Sequence, residues 1–263
     1  MLFAMKRIIL LVSVLVLVIS SASAWGVRQD EAAVMLAAKY LSPQAKTLVS
    51  DYLGDSYADD IAYIYNLEKK KQSTYSKGVH KLHLKADLTP ADVEGDDALK
   101  VLEQALEVVR NHSSRSQDEV TTALRVVINL MCDIHNFANI TIEGIPHSQS
   151  DFIVQNLDGK GEVSKRKWSN FFPGYSSFHA GYSAAYWVKD FEVCYNGKMA
   201  ELSAGSLHDW VRANGAKAAE LYEVIRPEVV MPLRQRLEYE SLAYEMVART
   251  GYRLAALLNE TIK

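Results

Sequence analysis

The aspartates and histidines of this chain whose residue types could do chemistry are Asp30, Asp59, His80, His83, Asp133 and His179, scattered along the sequence. Imidazole nitrogen and carboxylate oxygen are the ordinary protein ligands of zinc, and a zinc-bound water ionises near neutral pH. The spacing matches no short catalytic motif, since the sequence holds no HExxH, no GxSxG elbow and no P-loop. Taken singly, most of these residues have ordinary explanations. Asp30 precedes Glu31-Ala32-Ala33 and suits a helix N-cap. Asp59 reads as a carboxylate near a helix start, His80 and His83 as surface histidines of a loop. His179, among Phe178, Tyr182 and Tyr186, reads as a satisfied core histidine. Asp133 is different, because it ends a segment that is apolar almost all round and must be paired, hydrogen-bonded or on a metal.

A further ligand arises from processing. Lys6 and Arg7, the apolar run Ile8 to Ile19 and the small residues Ala22-Ser23-Ala24 read as a secretory signal peptide. Cleavage after Ala24 makes Trp25 the N-terminus, and a free α-amine can bind a metal. The plain alternative is that Trp25 is only the residue left by processing. Export places the mature chain in a secreted or periplasmic setting, and no later segment reaches membrane-spanning length.

Residues 25–263 suit one large domain with a sizeable core. The formal charge of −3 falls to −5 when the leader removes Lys6 and Arg7, so a phosphate-bearing partner finds no general attraction and needs local cations or metals. Cys132 and Cys194 are the only cysteines; one disulfide is allowed, and the sequence does not decide whether they meet.

Helical periodicity dominates the elements that must position these groups. Ser42-Pro43 opens a helix ending near Gly54, and a second is expected over 56–71. Residues 72–96 read as irregular, and a helix follows over 97–110. Ser116-x-x-Glu119 is a capping box ahead of the apolar run that ends near Asp133, which sets Asn129 and Asp133 on one face. Residues 136–176 read as a long irregular stretch with a turn at Gly159-Lys160-Gly161. Helices are expected again over 176–190, over 206–225 and from Pro232 to the C-terminus. With no period-two pattern long enough for a sheet, the expected class is all-α.

In this order the residues resemble the secreted zinc-dependent nucleases of the S-one/P-one type, within the wider phospholipase C-like superfamily. The resemblance spans the mature chain and is strongest in Gly251-Tyr252-Arg253-Leu254-Ala255-Ala256-Leu257-Leu258-Asn259, similar to the family's closing helix, and in Trp210-Val-Arg-Ala-Asn214. It implies a nearly all-helical single domain, a mature chain starting Trp-Gly, and a three-zinc cluster that the terminal amine joins. By that resemblance Trp25 supplies the amine, and Asp30 stands where the family has histidine. Ala58-Asp59 resembles the end of a Trp-Ala-Asp motif whose Asp binds metal and orients the attacking water, while Ala62 stands where an arginine is expected. His80 and Asp133 match ligands. Asn129 and Asn139 replace histidines, His179 is kept, and Ser183 replaces an Asp.

An asparagine offers only a neutral amide oxygen and a serine a weakly acidic hydroxyl, so the site of Asn139, His179 and Ser183 keeps one good ligand. Two sites keep enough: Asp59, His80 and Asp133, and the Trp25 amine with Asp30 and Asp133. One or two zinc ions are expected, rather than three, in a monomer acting on single-stranded nucleic acid or 3′-nucleotides, with Asp59 as catalytic base. The second reading is a non-catalytic relative that binds a nucleotide, nucleic acid or protein. His135, out of phase with Asp133, is a further candidate. Intact mass or N-terminal sequencing of the exported protein should show a chain that starts at Trp25; retained upstream residues would remove the amine ligand and one metal site.

Overall fold

The computed structural model describes residues 27–55, 79–95, 97–158, 160–171 and 182–263. The leader, Trp25, Asp59, Ala62, His179 and the helix expected over 56–71 lie outside them. Among the described residues there are eight α-helices: α1 (Val27–Lys39), α2 (Pro43–Leu53), α3 (Ala98–Arg110), α4 (Gln117–Asp133), α5 (Ala184–Cys194), α6 (Met199–Leu202), α7 (Leu207–Val224) and α8 (Leu233–Thr261). The fold is mostly helical.

The local signals explain most starts and stops. Ser42 caps α2 by accepting from Ala45 N at 3.2 Å, with Pro43 in the first turn. Ser116 and Glu119 form the expected reciprocal box at the start of α4, and Ser206 with Asp209 forms another for α7. α5 begins at Ala184 rather than Ser176, because the hydroxyl of Ser183 accepts from Tyr186 N and acts as N-cap. Asp30 lies inside the first turn of α1, so it is not the N-cap that its sequence neighbours suggest.

The expectation of an all-α chain is corrected by two small sheets. β1 (Leu82–Leu84) pairs in parallel with β2 (Ile140–Ile142), and β3 (Ile153–Leu157) lies between antiparallel β4 (Val163–Lys167) and parallel β5 (Val230–Met231). β1 and β2 are too short to display an alternation. β3 turns Val154 and Asn156 inward and Ile153, Gln155 and Leu157 outward, so its inward row includes an amide and its outward row two aliphatics. Hydropathy therefore shows no period of two, although the pleat has one. Of the turn expected around Gly159-Lys160-Gly161, Gly159 lies outside the described residues; β3 and β4 are joined beyond their ends by Asp158 N on Glu162 O at 2.9 Å. The stretch read as irregular thus carries three of the five strands found among the described residues.

α8 is the central strut. It packs along α1, where Gly251 lets the two backbones approach: a Cβ there would meet Ala33 O at 2.8 Å and Leu36 Cβ at 2.9 Å. At the other end of this contact Asn259 donates to Tyr40 O at 3.0 Å and accepts from Ser42 N at 2.6 Å, clamping the corner between α1 and α2. The segment that carries the strongest resemblance is thus the one that seats α1, the helix of Asp30. Gly251→Ala should lower stability by about 1–3 kcal/mol, since the added methyl meets backbone that cannot swing away. Urea unfolding of the variant and its parent checks this, and equal midpoints would contradict the close contact.

A candidate metal centre at the end of the fourth helix

α4 is buried along Val120, Leu124, Val127 and Met131, and also at Val126, Ile128 and Leu130, so its C-terminal residue is carried into the interior. Asp133 is 1% exposed there. Two short segments bring partners to it. The turn before β1 sets His80 Nδ1 2.7 Å from Asp133 Oδ2. After α4, Asn136 caps a single 3-10 turn by accepting from Ala138 N, and this turn folds Asn139 back so that its amide donates to Asp133 Oδ1 at 2.7 Å. Half-buried Asn129 lies one helical turn earlier on the same face of α4.

Burial holds the Asp133 carboxyl above its usual range, partly offset by the hydrogen bond and charge of His80, the charge of Lys81 and the Asn139 amide. Lys81 was not among the residues singled out from the sequence. Its ammonium donates to Ala138 O at 2.7 Å, is itself pushed down by burial, and is drawn up again by Asp151 and Asp133. The only sequence signal for it is its place directly after His80.

Asp30 reaches the same region from α1. It is buried, and it accepts a hydrogen bond from the Cys132 thiol, which burial and the nearby Asp30 and Asp133 charges push up. Cys132 is therefore an inert thiol, and both cysteines are free, Cys132 buried and Cys194 exposed. His83 is engaged elsewhere, with its Nδ1 2.9 Å from the Asp97 carboxylate that also caps α3.

His135, two residues beyond Asp133, points the other way into a polar network of the core. Its Nδ1 donates to Met131 O at 2.7 Å and its Nε2 accepts from Arg253 at 3.0 Å, which fixes one neutral tautomer. Burial and the Arg253 charge push it well below the usual histidine value. It is structural, not a ligand. Ser183 is likewise committed to capping α5. Asn139 presents its N–H to Asp133 at 2.7 Å, and His179, which the resemblance places with Asn139 and Ser183, lies outside the described residues.

The structure brings together His80, Asp133 and Asn139, with Asp30 adjacent through Cys132. Trp25, Asp59 and His179 lie outside the described residues. Among the described residues no three His, Cys, Asp or Glu side chains converge in metal-binding geometry. An imidazole beside a buried carboxylate remains a donor pair suited to zinc. No protein-family model matches the sequence, and no curated protein matches it.

Because the native state holds the Asp133 proton more tightly than the unfolded chain, zinc-free stability should fall as pH rises from the ordinary aspartate value of about 3.9 through the raised native one. Asp133→Asn keeps groups able to meet both His80 and Asn139 but cannot ionise. In EDTA at pH 8 it should be more stable than the parent by on the order of 1 kcal/mol, with the gap closing toward pH 4. Parallel pH profiles for the two proteins, read by urea unfolding, would show that the carboxylate carries no desolvation cost.

Proposed function

We propose that this chain is a secreted protein of the S-one/P-one nuclease type with a reduced zinc centre, hydrolysing phosphoester bonds of single-stranded nucleic acid or 3′-nucleotides slowly. The observation that supports this is the meeting of His80 with Asp133 across 53 residues, at the buried end of α4 and beside Asp30. These three positions are among the ligands the resemblance implies. A carboxylate held buried against its own desolvation is a poor source of stability and a good candidate for function.

In this reading His80, Asp133 and Asp59 hold one ion, and the Trp25 amine, Asp30 and Asp133 hold a second. Bound zinc supplies Lewis acidity and an ionised water at neutral pH. Asp59 orients the attacking water and takes its proton. Ala62 offers the phosphate no cation, and Asn139 and Ser183 leave the third ion with His179 as its one good ligand, so the rate is low. No described helix is long and apolar enough to cross a membrane.

One observation favours the second reading, a non-catalytic binding module. The Asp133 charge is already compensated by protein groups: His80, the Asn139 amide and the Lys81 ammonium.

Elemental analysis of the mature protein separates the two. One or two zinc ions per chain, with weak cleavage of single-stranded DNA lost in Asp59→Asn, supports the enzyme. The combination Asn129→His, Asn139→His, Ser183→Asp and Ala62→Arg should then raise zinc content and accelerate cleavage by roughly 10²-fold or more. Three ions in the parent would overturn the assignment of lost ligands. No zinc after reconstitution would leave the binding module.

A further inference from the structure

A groove of about 340 Å³ opens between the N-terminal part of α5 and α8. Its walls are aromatic and acidic. Tyr182 and Tyr186 stack face to face, ring centroids 4.3 Å apart and planes within 14°, yet remain 45% and 48% exposed. Deeper in, Trp187 lies against Tyr244 at 5.4 Å, and the Tyr244 hydroxyl donates to the Asp190 carboxylate. Glu240 comes from α8.

Among the described residues, no lysine, arginine or histidine lines this groove. The cations around it are engaged: Arg236 sits 3.5 Å from Glu240, Lys39 pairs with Glu192, and Arg28 donates to the Tyr182 carbonyl. Aromatic ring faces carry negative potential, so the rings of Tyr182, Tyr186, Trp187 and Tyr244 add to the negative charge of Asp190, while Glu240 is compensated by Arg236. The two half-exposed tyrosines, held in register, present one continuous aromatic face at the mouth of the groove. The pair is positioned on purpose-built geometry, with Ser183 capping the helix start and Arg28 holding the Tyr182 backbone.

We propose that this groove binds a small organic cation, a quaternary or primary ammonium group, against Tyr182, Tyr186 and Trp187 with Asp190 as counter-charge. Its volume suits a headgroup-sized ligand, and stacked aromatics with a carboxylate are the means by which proteins select ammonium over neutral groups. A phosphate would meet carboxylates and ring faces of its own sign, so the groove serves a different ligand from the centre at Asp133. A nucleobase has no slot between the tyrosines, because the two rings already touch.

Calorimetric or NMR titration of the mature protein with choline chloride, set against 3,3-dimethylbutan-1-ol, tests this, because the alcohol has the same shape without the charge. Choline should bind saturably and the alcohol about tenfold more weakly or worse. Tyr186→Leu and Asp190→Asn should each weaken choline about five- to tenfold while the melting temperature of Tyr186→Leu stays at the parent value. Equal binding of the alcohol would make the groove merely apolar. Saturable binding of AMP that choline does not displace would make it a base-stacking surface. Absence of choline binding at concentrations on the order of 50 mM would also overturn the proposal.

Discussion

A buried arginine without a carboxylate partner sets the geometry of this molecule. Arg253, 5% exposed, spreads its guanidinium over the carbonyl of Leu202, the imidazole of His135 and the amide of Asn214, and lies over the ring of Trp210 at 5.4 Å. Every acceptor is neutral, and burial pushes the group down to about 10. It stays charged at physiological pH, with the nearby Glu245 charge opposing the effect of burial, and its hydrogen-bond partners belong to other elements. Asn214 in turn donates to Ile134 O at 2.9 Å, so α7 and α8 both grip the C-terminal end of α4. Asp133 sits within two residues of both contacts.

This constraint accounts for a division of labour at the end of α4. His135 and Asp133 are near neighbours in sequence and point into opposite environments. One is neutral, fully hydrogen-bonded and inert, consistent with a residue that locks packing. The other is an acid whose ionisation the protein opposes by burial and supports by His80, Asn139 and Lys81. A core that wanted only stability would place an apolar side chain there, as the same helix does at Leu130 and Met131. Rigidity supplied by the Arg253 network is what lets such a carboxylate be kept in a defined position.

The charge pattern is also uneven over the molecule. At the end of α4 an acidic side chain is met by imidazole, amide and ammonium groups. Beside α5, carboxylates and tyrosine faces stand together, and among the described residues no cation lines the groove between them. The two environments are carried by different helices on one helical framework.

Much of that framework is legible in the sequence, because its signals are local. The Ser42-Pro43 start, the reciprocal box of Ser116 and Glu119, and the apolar run to Asp133 each depend on hydrogen bonds or periodicity within a few residues, and each forms as read. The burial of Asp133 follows from the same run. The short strands were not legible, since β1 and β2 have no length for a pattern and β3 buries an asparagine. Nor was the placement of Asp30 inside the first turn of α1 rather than at its cap. The meeting of His80 with Asp133, the return of Asn139, and the capture of His135 by Arg253 across 118 residues were decided only by tertiary structure. Residue type states what a side chain can bind; packing of distant elements determines which partner it reaches first.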